Sequence, residues 1–151
     1  MYGNEVNDLV MRLKIAEAED MQRGSGIYAE LDRRINQVDA FINEHDVKVT
    51  KKDKINDYSY RYEFSFSGDL GKLAEHIEEV NGVEILSVGK GLELIKDLGD
   101  ASDVSNAYGL NSFKGTHGIG HTRMATESDV DIRSAHPYWA CLLYTSDAAD
   151  E

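Results

Sequence analysis

From Leu9 to Ile15 the chain alternates, with Leu9, Met11, Leu13 and Ile15 on one side of an extended segment and Val10, Arg12 and Lys14 on the other. A period of two belongs to a strand with one face on a core, so the spacing predicts a first strand here. After the break at Gly24-Ser25-Gly26 the period changes. Ile27, Leu31, Ile35, Val38 and Ile42 recur at steps of four and three, which lines one face of a helix ending near Glu44, its charged back face in solvent. Val47 and Val49 suggest a short second strand, and the polar run Lys51 to Asp57 reads as a hairpin connection. The third strand has the strongest pattern: Tyr58, Tyr60, Tyr62, Phe64 and Phe66 on one face, with Ser59, Arg61, Glu63, Ser65 and Ser67 on the other. Asp69 suits the N-cap of a helix carrying Leu70, Leu73, Ile77 and Val80, and Asn81-Gly82 supplies its left-handed stop. Val83 to Val88 returns as a strand.

The resulting order, β-α-β-β-α-β, is the split pattern of a ferredoxin-like domain, in which two helices cover one face of an antiparallel sheet. The expected class is α+β, with this unit over residues 7–90. Gly89 and Gly91 bracket a change of element, and Leu92 to Ile95 reads as another strand. A short helix is expected from Ser102 to Tyr108, capped by Ser102 and ended by Gly109. A turn at Phe113-Lys114-Gly115 follows.

Composition narrows what such a chain can do. Its 151 residues hold 16 Lys and Arg against 28 Asp and Glu, a net charge of −12. With 41% apolar and 29% charged residues it is a folding composition, neither disordered nor membrane-spanning. The acidic excess argues against nucleic acid, whose binders cluster Lys and Arg against phosphates. An aromatic strand face could stack RNA bases, but without interleaved cations burial beneath the helices is the expected fate of this one. No apolar run approaches the length of a membrane span, so neither a membrane partner nor export is expected, and the cytoplasm is the expected compartment.

Residues 141–151, Cys141 to Glu151, resemble the in-frame translation of a sequencing-library adapter and are set aside as an artefactual tail. The one cysteine leaves with them. Removing the tail's three acids, Asp147, Asp150 and Glu151, takes the charge from −12 to −9. Residues 111–140 balance Lys114, Arg123 and Arg133 against Glu127, Asp129 and Asp131, so the acidic excess lies earlier in the chain.

The densest polar motif is Gly115-Thr116-His117-Gly118-Ile119-Gly120-His121-Thr122-Arg123-Met124-Ala125-Thr126-Glu127-Ser128. Gly118 and Gly120 in a strand-like run would permit close approach of a ligand or another backbone. Arg123 near its end can grip a carboxylate through two parallel charge-assisted hydrogen bonds, and the Thr126 hydroxyl can donate and accept. An ordinary ion pair and tight packing would account for the same residues. His117, His121 and His136 can be read as zinc ligands, although the glycines explain the segment without metal. No cofactor is expected.

Gly118 to Thr126, followed by Ala135-His136-Pro137, resembles the core motif of class II glutamine amidotransferase domains, the N-terminal-nucleophile family. Glu127-Ser128 brings the likeness nearest to stand-alone or glutamate-synthase-like members, and Leu92 to Gly99 with Tyr108-Gly109-Leu110 resembles the approach to the motif. The resemblance implies a four-layer αββα core, of which residues 91–140 would form part. It also implies release of ammonia from glutamine by a cysteine thiolate, for transfer to an acceptor domain or subunit. Carried over, Arg123 matches the residue binding the glutamine α-carboxylate, Thr126 a threonine of the substrate pocket, and His121 a pocket-ordering or packing position on the arginine's strand face. Glu127 stands where many members have His. The opening Met1-Tyr2-Gly3 lacks the nucleophile cysteine, so the chain is expected to be an internal piece, itself without glutaminase activity and with no catalytic residue of its own. A second reading takes it as a non-catalytic ferredoxin-like module that regulates or binds a small ligand.

Overall fold

The computed structural model describes residues 5–123. Strand β1 (Val6–Lys14) leads through a short helix α1 (Ala18–Met21) and a 3-10 turn at Gly24–Gly26 into helix α2 (Ile27–Glu44). Strands β2 (Lys48–Asn56) and β3 (Ser59–Phe66) form a hairpin, helix α3 (Leu70–Glu78) follows, and β4 (Glu84–Gly89) completes the sheet. The order across the sheet is β2-β3-β1-β4, with every neighbouring pair antiparallel. The fold is α+β. Among the described residues no helix is long and apolar enough to cross a membrane.

The period-two residues of β1 carry the core. Leu9, Met11, Leu13 and Ile15 are buried with Tyr60, Tyr62 and Phe64 of β3, while Tyr58 and Phe66 pack at the margin. Met11 lies opposite Tyr62 on one side and Val88 on the other, and Leu13 opposite Tyr60 and Ile85, so one row of side chains crosses three strands. Onto it α2 lays Ile27, Leu31, Ile35, Val38 and Ile42, and α3 lays Leu73, Ala74 and Ile77. Each large aliphatic side chain so buried contributes about 1.5–3 kcal/mol. The aromatic row of β3 lies inside this core, where it cannot stack on bases.

Four local expectations are corrected. The second strand runs to Asn56, and the hairpin turns at Asp57-Tyr58 instead of along Lys51 to Asp57. Its lysines disguise it because it is an edge strand, where exposed Lys side chains also discourage further pairing. The charged back of α2 is not wholly solvated: Arg34 is buried and donates to the Ile15 carbonyl at 2.7 Å, to Asp20 at 3.1 Å and to Glu30 at 2.8 Å. Asp69 caps α3 through the Gly71 and Lys72 amides as expected, but that helix ends at Glu78. Gly82, at φ +85°, serves instead the turn closed by the Val83 amide and the Val80 carbonyl. Finally, helix α4 (Ala101–Tyr108) is capped by Asp100 and not by Ser102, with Gly109 left-handed at its end as expected.

Candidate functional site

The stretch expected as a further strand, Leu92 to Ile95, is irregular, and it crosses the face of the sheet opposite the helices. Among the described residues it joins no strand ladder, and side chains hold it. Arg12 and Arg61 stand directly opposite one another on β1 and β3, an arrangement of like charges that is destabilising unless bridged. Glu93 bridges them, its Oε1 accepting from the Arg12 Nε at 2.9 Å and from the Arg61 Nε at 2.7 Å. Burial opposes ionisation of Glu93, but the two guanidiniums outweigh it and hold its pKa below the ordinary carboxylate value. The Leu94 amide donates to Ser87 Oγ at 3.1 Å.

A second cluster lies beside it. Asp97 Oδ2 accepts from the Tyr58 and Tyr108 hydroxyls, each at 2.7 Å, and its Oδ1 lies 3.3 Å from Lys14 Nζ. The Lys14 ammonium sits 5.0 Å from the Tyr58 ring centroid, and the Tyr108 hydroxyl also meets Ser59 Oγ at 3.0 Å. Burial lowers the Lys14 pKa even though Asp97 works against it. Burial would raise that of Asp97, but Lys14, the two phenols and the Leu98 amide together lower it. Lys96 pairs with Glu84 at 3.6 Å, and the Arg12 guanidinium lies 5.0 Å from the Phe113 ring centroid. Most of these groups are buried or half-buried, while Phe113 is exposed. Their chemistry is attachment, fastening residues 93–113 to the sheet.

Beyond Phe113 the chain changes character. Residues 114–123 form no helix or strand and are exposed, Ile119 to 98%. The expected strand carrying the glycine motif is therefore not formed among the described residues, and His121 and Arg123 do not share a strand face. An irregular chain has no pleat to fix alternate side chains. Among the described residues, nothing stands within 4 Å of a Cβ added at Gly118 or Gly120. His121 and Arg123 are both exposed, where an arginine can receive a carboxylate. Thr126, Glu127 and His136 lie outside the described residues. Among the described residues no group of three His, Cys, Asp or Glu side chains is placed to hold a metal ion.

The residues that fasten the motif's approach, Arg12, Lys14, Glu93 and Asp97, are not singled out by sequence reasoning. Their available signal was two cations at alternate positions in the middle of an otherwise apolar strand, on the face that alternation assigns away from the core. On the helical side a shallow groove of about 410 Å³ runs between α2 and α3, lined by Phe41, His76 and Glu79 among others. Phe41 also stacks on His45, ring centroids 3.9 Å apart.

Over 79 residues the chain is 40% identical to a provisionally named glutamine amidotransferase of Methanothermobacter thermautotrophicus, covering 52% of this chain and 26% of that protein. It is 46% identical over 56 residues to the glutamine amidotransferase-like protein GlxB of Rhizobium meliloti, covering 37% of this chain and 19% of that one. To the isomerizing glutamine–fructose-6-phosphate aminotransferase of Pyrobaculum aerophilum it is 41% identical over 54 residues, 36% of this chain and 9% of that protein. The chain thus spans about a quarter or less of the length of these curated relatives. No family model and no solved structure matches it.

Proposed function

We propose that the chain belongs to a glutamine amidotransferase of the N-terminal-nucleophile class, which hydrolyses glutamine to glutamate and ammonia and passes the ammonia to an acceptor domain or subunit. The observation that carries this reading is the similarity to three proteins whose names all include a glutamine-dependent transfer. In the whole enzyme, a cysteine thiolate would attack the glutamine carboxamide carbon, ammonia would leave, and water would cleave the thioester to glutamate. Residues 7–90 would be a ferredoxin-like unit, with the element order and strand order found here, and residues 91–140 part of the amidotransferase core. The proposed boundary, after residue 90, lies one residue past Gly89, the last residue of β4.

Within that core Arg123 would bind the glutamine α-carboxylate, Thr126 would contribute a pocket hydroxyl and His121 would order the pocket. Exposure of Arg123 is compatible with such a role. Arg123→Ala in the full-length enzyme should raise the glutamine KM by roughly 10- to 100-fold, since a hydrogen bond to a charged group is worth about 1.5–3 kcal/mol. Glutamate release at varied glutamine concentration measures it. An unchanged KM removes the carboxylate assignment, and a full-length enzyme that has its cysteine yet releases no glutamate removes the enzyme reading.

A further inference from the structure

We propose that Arg12 is a positioning residue for the Arg123 segment, holding from the middle of the sheet both the beginning and the end of the chain that leads into the glycine motif. The proposal rests on the amidotransferase reading only where it concerns glutamine. Arg12 lies on β1 between two neighbours and is 4% exposed, so its guanidinium has little freedom. One edge of it donates to Glu93, where the chain first settles on the sheet. Its guanidinium carbon lies 5.0 Å from the Phe113 centroid, where the chain leaves the sheet.

Between those two points the segment folds back through α4 and the 3-10 turn at Leu110–Ser112, and Tyr108 adds a tie to Asp97. Glu93 has a second holder in Arg61. Phe113 is 38% exposed, and its ring lies against the Arg12 guanidinium immediately before residues 114–123 begin. A flat, delocalised guanidinium can hydrogen-bond at its edge and stack on its face at once, whereas an ammonium cannot do both. Arg12 therefore couples the βαββαβ unit to the motif through one side chain.

The test uses Arg12→Met, which keeps the unbranched stem packed on β1, and Phe113→Leu, which keeps an apolar side chain but removes the aromatic face. In the 151-residue chain, amide hydrogen exchange over Ala101–Phe113 should accelerate roughly tenfold in both variants, while the amides of β1 and β3 hold their wild-type protection. In the full-length enzyme both variants should raise the glutamine KM with kcat within about twofold, and the double variant should do no more than Arg12→Met alone. Arg12→Lys should fail to restore the KM. Exchange unchanged in Ala101–Phe113, acceleration spread equally over the strands, or additive effects of the two substitutions would each overturn the proposal. The exchange experiment needs no glutamine chemistry. If the full-length protein releases no glutamate while exchange responds as stated, the amidotransferase assignment fails and the anchoring role of Arg12 stands.

Discussion

Replacing Asp97 with Asn should be the most costly single change in the polar layer, because it leaves Lys14 charged and enclosed. The two side chains are 2% and 8% exposed and their charged atoms lie 3.3 Å apart. At an effective dielectric constant near 20, two unit charges at that distance attract by about 5 kcal/mol. An Asn oxygen can still accept from Tyr58 and Tyr108, so hydrogen bonding is largely kept and the charge interaction is what disappears. Breaking a buried pair from one side costs about 3–5 kcal/mol. Lys14→Met should cost less, about 2 kcal/mol, because Asp97 keeps both phenols and the Leu98 amide at 2.8 Å. The double variant should recover to within about 2 kcal/mol of wild type, giving a coupling energy of about 3–5 kcal/mol. Urea unfolding of the 151-residue chain at pH 7, with unchanged m, measures all four corners of the cycle. A cost under about 1 kcal/mol for Asp97→Asn, the range of exposed pairs, or a coupling near zero would refute the reasoning.

The same pair has a pH signature. Asp97 has a lowered pKa in the folded chain, so its contribution is present above the unfolded value of 3.8 and is lost as pH falls through the folded value. Asp97→Asn should lack that part of the acid transition. Lys14 behaves in the opposite direction: with its pKa lowered mainly by burial, the unfolded chain binds the extra proton, and stability should rise as pH climbs from the folded value toward 10.5. Lys14→Met should flatten that rise, read below pH 10, where tyrosines whose pKa burial raises stay protonated.

Two further substitutions test the frame that carries this layer. Gly82→Ala should destabilise by about 2 kcal/mol, since φ is +85° and the new Cβ would strike the Arg34 guanidinium that ties Ile15, Asp20 and Glu30 together; thermal unfolding measures it, and a loss under about 0.5 kcal/mol would contradict the packing described. Asp69→Ala should cost about 1 kcal/mol by uncapping the Gly71 and Lys72 amides, and Asp69→Gly only a few tenths, as read by urea unfolding; equal costs for the two would place the effect elsewhere than in the cap.

The helical side of the sheet is legible without coordinates because its residues obey local periods. Leu9 to Ile15, Ile27 to Ile42 and Tyr60 to Phe64 each repeat at the spacing of the element they form, and burial follows the repeat. Edge strand β2 is less legible, since a strand with solvent beside it needs no apolar alternation. Arg34 is read wrongly for a related reason: a helical wheel shows where a charge points, but not that the end of β1, α1 and α2 converge on it.

For the candidate site the division is sharper. Residue types and order mark the Gly118 to Thr126 motif, and the carboxylate-binding chemistry open to Arg123 needs nothing beyond a guanidinium. What the tertiary structure decided is the other face of the sheet. Alternation assigns Arg12, Lys14 and Arg61 away from the apolar core, and the return of residues 93–113 across that face covers them, burying Arg12 and Lys14 and half-burying Arg61. Glu93 and Asp97 lie far along the chain from the cations they neutralise, and no local period encodes such a pairing. The apolar core is written in short-range repeats because hydrophobic burial is non-directional; the ionic layer needs particular atoms at particular distances, which only the folded chain brings together.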